Sequence, residues 1–346
     1  MPEGKFDRQT ELNNCTFVKT VLMLLVVFYH SILFWAGGWF TRNPAFSAPL
    51  LPLLSGWLNT VHIQGFALVS GYLFSYLKYE QGKYGQFLPF VKNKAKRLLV
   101  PYVFAAAVWV IPTSMPFYQY DAQAILKNFL LAQSPSQLWF LVMLFVVFAV
   151  FWPLSDFFRK HDLLGTVVVL GMYGCSLVGG RIIPNVFQLW SAMGYMPLFW
   201  LGFKLRQHGT GTVRKIPAIV WLIASILLYA LTRYLGDIDH ILCKLLTIGT
   251  AFVCKLVGAV TAFVVLQAVA NKLNWNNKSF AFISKRSMTV YLFHQQVIYF
   301  VITGLNGILN PYLHGVVNFV VAMAVSLGMA TVLLRFRATR FLLGEK

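Results

Sequence analysis

The sequence predicts an all-α integral membrane protein, a single domain of about ten transmembrane helices. Three observations predict it. Hydrophobic residues fill 58% of the 346 positions, while Asp, Glu, Lys and Arg supply only 11%, less than half of the roughly one-quarter charged share typical of a soluble domain. The apolar residues form long runs, and about 20 apolar residues cross a bilayer as a helix. The basic residues collect in alternate polar segments, the bias of cytoplasmic helix ends. The 31 Phe, 15 Tyr and 10 Trp suit lipid-facing surfaces and interfacial belts.

In chain order the expected spans are 15–37, 56–77, 97–117, 134–156, 163–182, 189–205, 215–235, 243–271, 286–304 and 313–336. The first apolar run begins after Asn14 and nine more follow, so 21–34 reads as a retained first helix and not a cleaved signal peptide. The second span is less apolar because it holds His62, Gln64, Ser70 and Gly71, and the sixth is short. The expected single domain covers 1–346, with 1–14 and 337–346 as short cytoplasmic termini.

Charge tests this map. With an internal N-terminus, 23 of the 29 basic residues lie inside or at inner helix ends; the six elsewhere are Arg42, Lys127, Arg181, Arg233, Lys244 and Lys255. Losing one helix would scramble the alternation. The formal charge of +19 is therefore read as a contact with anionic membrane lipids. No zinc knuckle, helix-turn-helix spacing or basic tail points to nucleic acid. Cys15, Cys175, Cys243 and Cys254 lack metal-ligand spacing and read as buried thiols, and no metal site is expected. No repeat or extramembrane catalytic domain is visible, so any chemistry uses the helices and their loops.

His30 is the strongest site candidate. It lies deep in the first span, where ionisable groups are costly and usually face a cavity or polar partner. An imidazole can exchange protons with a hydroxyl near neutrality; a structural histidine bonded across helices is the other reading. Lys19 precedes it by eleven residues, about 16 Å of helical rise, so the two could hold separate parts of one elongated ligand, or Lys19 could snorkel at the inner interface. Lys94 and Arg97, three residues apart, can share a helical face and present cations to phosphate groups, or simply mark the inner rim. Gln64 and Ser70 are candidates for lining a cavity, and the His294-Gln295-Gln296 cluster should face inward, for a site or for structural hydrogen bonding. The spans offer no convincing carboxylate, which leaves His30 without an acidic orienter.

The order of several short motifs resembles the acyltransferase-3 family of integral-membrane O-acyltransferases. Lys19 to His30 is similar to that family's basic residue, ten-residue spacer and histidine. Gly65–Leu73 follows, then Lys94–Tyr102 with basic residues three apart, where Lys94 replaces a more usual arginine. Leu138–Leu141 and Ser287 with Tyr291–His294 complete the series.

The resemblance implies a ten-helix bundle in a bacterial cytoplasmic membrane, with both termini cytoplasmic. It implies transfer of an acyl group other than an amino-acyl group, foremost acetyl from acetyl-CoA, to a hydroxyl. The implied acceptor is an envelope glycan or other polysaccharide, a lipid-linked sugar or peptidoglycan. His30 would be the general base, with Lys19, Lys94 and Arg97 binding acyl-CoA and Gln64, Ser70 or His294 lining the cavity or stabilising the oxyanion. A secondary transporter or exporter of a small organic anion is the alternative, but no repeat pair or broken-helix signal accompanies it. Oligomeric state is not readable.

Overall fold

A computed structural model of the protein describes residues 3–345. Lys346, one of the basic residues assigned above to the inner tail, lies outside the described residues, as does the side chain of Lys5. In chain order the principal helices are α1 (Glu3–Ile32), α2 (Leu50–Leu58), α3 (His62–Ser75), α4 (Phe87–Ala105), α5 (Trp139–Lys160), α6 (Asp162–Ile182), α7 (Leu189–His208), α8 (Ala218–Gly236), α9 (Ile241–Lys272), α10 (Ser287–Leu305), α11 (Pro311–Leu333) and α12 (Arg337–Leu342). Among the described residues there is no strand.

Among the described residues eight helices are long and apolar enough to cross a membrane: α1, α4 with its continuation to Ser114, α5, α6, α8, α9, α10 and α11. They correspond to eight of the ten expected spans. The second and sixth form helices but miss that measure. α3 runs for only 14 residues before a π-helical turn at Tyr76–Glu80, and its His62, Gln64 and Ser70 dilute the apolar run. α7 has 20 residues, but its Gly, Pro, Tyr and Trp residues and terminal cations lower its hydropathy.

Three boundaries also move. α1 begins at Glu3 instead of after Asn14, so most of the expected N-terminal tail is helical. α4 begins at Phe87, which puts Lys92 to Arg97 on the helix itself. The C-terminal segment contains α12.

The chain divides into two compact units. The first comprises the chain up to Tyr29, Pro49–Tyr76 and Leu198–Lys285. Within it α8 and α9 form an antiparallel pair, with the Thr261 hydroxyl donating to Trp221 O at 2.9 Å. α3 and the second half of α7 meet backbone to backbone. A Cβ at Gly71 would stand 1.8 Å from Phe199 O, and one at Gly202 would stand 1.8 Å from Leu68 O. Reciprocal glycines permit this approach.

The same unit buries a carboxylate in the part of α1 that precedes the expected first span. Glu11 is on α1, 3% exposed. It accepts from Tyr72 Oη at 2.7 Å, from Arg214 Nη1 at 3.0 Å and from the Thr210 hydroxyl. Arg206 donates to Tyr72 Oη at 3.1 Å, and Gln267 Nε2 donates to the Glu11 carbonyl at 2.9 Å. A buried carboxylate persists only with such pairing.

The second unit comprises His30–Ala48, Leu77–Pro197 and the chain from Arg286 on. α4 packs on α5, and α10 packs on α11. Trp109, in the π-helical turn that continues α4, donates its indole N–H to Phe293 O of α10 at 3.1 Å. Arg286 Nε donates to Thr331 Oγ1 at 3.1 Å, tying α10 to α11. These contacts hold α10, the helix that carries most of the polar side chains of the candidate site.

Candidate functional site

The last turn of α1 delivers His30, and the chain then leaves through a tight 3₁₀ turn at Leu33–Ala36. Gly37 and Gly38 follow with φ of 79° and 68°, a left-handed conformation that glycine adopts without steric penalty. This reversal brings Trp39 back over His30, with ring centroids 5.8 Å apart and planes 28° from parallel. Tyr118 Oη donates to Trp39 O at 3.2 Å, and the Trp39 ring lies 5.0 Å from that of Tyr299.

His294 Nε2 lies 3.0 Å from His30 Nδ1. His294 is fully buried, whereas His30 is half-buried. The other nitrogen of His294, Nδ1, faces two carbonyls, Tyr291 O at 2.8 Å and Val290 O at 3.2 Å. A carbonyl can only accept, so the proton of neutral His294 sits on Nδ1 and its Nε2 accepts from His30 Nδ1–H. That assignment puts the basic lone pair of His30 on Nε2. A buried imidazole thus fills the orienting position that the sequence left without a carboxylate.

A second chain of hydrogen bonds runs beside the first. Gln137 Nε2 donates to Leu292 O at 2.9 Å and to Gln296 Oε1 at 2.8 Å, while Gln296 Nε2 returns a bond to Gln137 Oε1 at 3.2 Å. The Tyr291 hydroxyl donates to Gln137 O. Ser136 Oγ donates to Gln137 Oε1 at 2.7 Å and accepts from Gln295 Nε2 at 2.9 Å. Carbonyls 290 to 293 of α10 therefore all receive side-chain donors from His294, Gln137 or Trp109. Nearly all of this network is buried, where satisfied polar groups specify a single geometry.

Of the residues singled out in the sequence, the structure joins His30 to His294. Lys94 and Arg97 belong to the same unit, on α4. Arg97 is exposed and precedes Trp109, the indole bonded beside His294, by twelve residues, about 18 Å of helix rise. Lys94 is half-buried, and its Nζ lies 3.6 Å from the centroid of Phe148, with Tyr84 at 5.1 Å and Phe90 at 5.5 Å. Near Arg97, burial raises the Glu345 carboxyl above the usual carboxylate range, and the attraction of Arg97 opposes that shift.

Lys19, Gln64 and Ser70 belong to the first unit. Lys19 is exposed on α1, Gln64 is 2% exposed on α3 with an unpartnered Oε1, and Ser70 is half-buried. Among the described residues no three His, Cys, Asp or Glu cluster as metal ligands. Sequence reasoning missed Trp39, Ser136 and Gln137. The Gly37-Gly38-Trp39 string just beyond His30 was the one local signal for the first; the other two become visible only through their partners on α10.

A family model described as an acyltransferase domain matches residues 13–335. No curated protein and no solved structure matches the chain.

Proposed function

The chain belongs to the acyltransferase-3 family over residues 13–335, and from that premise we propose that it transfers an acyl group, foremost acetyl, from acyl-CoA to a hydroxyl of a cell-envelope glycan, lipid-linked sugar or peptidoglycan. The observation that carries this reading is the contact between His30 Nδ1 and His294 Nε2 at 3.0 Å. It leaves His30 Nε2 as a positioned base on a half-buried ring.

In the proposed reaction His30 Nε2 takes the proton of the acceptor hydroxyl as its oxygen bonds to the thioester carbonyl carbon. His294 stabilises the resulting imidazolium through the Nδ1–H bond. The tetrahedral oxyanion then collapses, the C–S bond breaks, and His30 returns the proton to the departing thiolate. The products are an ester and free CoA thiol. Holding both reactants at one imidazole supplies positioning catalysis, and polar groups near the developing charge supply electrostatic stabilisation.

Arg97 and Lys19 are proposed to bind the anionic end of acyl-CoA. Along their helices each lies about 16–18 Å before the level of the imidazoles, a separation that suits an extended thioester-bearing arm. Lys94 would support that face by packing, its ammonium being held over aromatic rings. The topology that suits this arrangement has both termini and the 78–97 segment cytoplasmic. It retains all ten crossings, with α3 and α7 as shorter or more polar ones.

The test is His30→Ala, assayed as CoA thiol release and as acyl mass on envelope glycans, at matched amounts of folded protein. Activity should fall by roughly 10²–10⁴-fold, the usual contribution of a general base, with acyl-CoA binding retained. Near-wild-type turnover would remove His30 from the reaction.

A further inference from the structure

Gln295 stands one residue beyond His294 and is 3% exposed. The direction of its amide follows from an unambiguous acceptor three residues away. Leu292 O can only accept, so the amide nitrogen of Gln137 faces it and Gln137 Oε1 accepts from Ser136 Oγ. Ser136 Oγ, having donated its proton, accepts from Gln295 Nε2 at 2.9 Å, and the same nitrogen donates to Tyr299 Oη at 2.5 Å. Gln295 Oε1 is left buried without a hydrogen-bond partner. A native structure rarely leaves such an oxygen unsatisfied, because losing water without gaining a donor is unfavourable.

The support behind this amide is strained. Ser136 has φ of 53°, and the other non-glycine residues with positive φ among those described are Ala132, Phe187 and Gln188. All four lie in two interlocked segments: Phe187 N donates to Leu131 O at 2.8 Å, and Gln188 Nε2 donates to Ala132 O at 2.6 Å. Backbone strain concentrated beside a candidate catalytic pair is a pointer to a ligand-holding role. Three contacts link it to the imidazoles. Gln295 bonds Tyr299, Tyr299 packs on Trp39, and Trp39 lies over His30.

We propose that Gln295 Oε1 accepts a hydrogen bond from a hydroxyl vicinal to the one that His30 deprotonates, so that the site selects vicinal diols over isolated alcohols. This rests on the reading of His30 as the base and adds a specificity-determining residue to it. The missing partner must be a donor, which excludes the thioester and the acyl chain. The oxygen is closed to solvent, so the proposal requires Trp39 and Tyr299, whose rings lie 5.0 Å apart, to move before the diol reaches it. A site built to bond a hydroxyl discriminates strongly against analogues that lack it, since its own polar atom is then left unpaired.

The full chain in liposomes would be given acetyl-CoA with either cis-1,2-cyclohexanediol or cyclohexanol, which differ by one hydroxyl. The readout is the ratio of the two kcat/KM values, which does not depend on how much protein is folded. Wild type should favour the diol by roughly 10²-fold or more. Gln295→Leu should bring the ratio to within a few-fold. Gln295→Glu, which keeps an acceptor oxygen, should preserve most of it.

An undiminished ratio in Gln295→Leu would overturn the proposal. So would a selective rise in KM for acetyl-CoA with the diol preference intact, which would assign the oxygen to an amide of the donor. If wild type acylates neither alcohol, the proposed reaction falls, and binding decides the inference by saturation-transfer NMR. Preferential diol binding that Gln295→Leu abolishes would support it; equal binding of both alcohols by wild type would overturn it.

Discussion

His294 accepts from His30 through the one ring nitrogen that its own backbone bonds leave open. Nδ1 of His294 is committed to Tyr291 O and Val290 O, and Nε2 lies 3.0 Å from His30 Nδ1. Main-chain carbonyls of one helix thereby fix the tautomer of an imidazole on another. In the proposed reaction this would be the orienting job that a carboxylate performs in acid–base triads, done by a neutral ring that brings no second charge into a low-dielectric interior.

His294→Leu should therefore lower kcat by roughly 10²-fold while leaving KM for acyl-CoA nearly unchanged. His294→Asn, whose side-chain oxygen can still accept from an N–H, should recover part of the loss. Steady-state kinetics on reconstituted protein separate the two parameters. A pure KM effect in His294→Leu would count against an orienting role.

Arg97 and Lys94 should respond differently to alanine. Arg97 is exposed and offers a fork suited to phosphate, so its loss should raise KM for acyl-CoA by about tenfold, the equivalent of one charge-assisted hydrogen bond. Lys94 lies 3.6 Å from the Phe148 ring centroid, so its loss should mainly lower stability, by about 0.5–2 kcal/mol. Acyl-CoA titration alongside thermal unfolding would separate the two, and matching KM effects would restore a shared binding role.

Glu11 should be among the most sensitive positions of the first unit. Glu11→Ala leaves Arg214, 3.0 Å away, without its carboxylate, and breaking a buried pair costs roughly 3–5 kcal/mol. Because the Arg214 side chain is 31% exposed, the lower end of that range is expected. Glu11→Gln, which still accepts hydrogen bonds, should unfold at a temperature between those of wild type and Glu11→Ala. Identical unfolding of Glu11→Ala and wild type would show the network to be dispensable.

Topology can be tested by thiol labelling in intact cells, after the four natural cysteines are replaced by serine, since Cys175 is exposed and Cys243 half-buried, against the expectation of four buried thiols. Cysteines introduced in 38–55 should react with a membrane-impermeant reagent, and those introduced in 78–86 should not. The reverse pattern would invert the proposed orientation.

Hydropathy adds along the chain, so a run of apolar residues declares itself without reference to any partner. That is why the membrane character, the all-α class and eight long helices were legible from composition and spacing alone. The same locality hides remote partners. Glu11 looked like part of a polar tail because its neutralising partners, Tyr72, Thr210 and Arg214, are remote in sequence. α3 and α7 fall below the length and hydropathy that the other eight helices reach, one being short and the other diluted by small, aromatic and charged residues.

His30 and His294 were each recognisable as costly intramembrane histidines, and the ordered motifs placed both in one family pattern. Their pairing across 264 residues, the aromatic cage that holds Lys94 and the unpartnered oxygen of Gln295 were decided by tertiary structure. A hydrogen bond depends on the distance and angle between two particular atoms. Those are set by how α1, α5 and α10 pack, and no sum over neighbouring residues contains them.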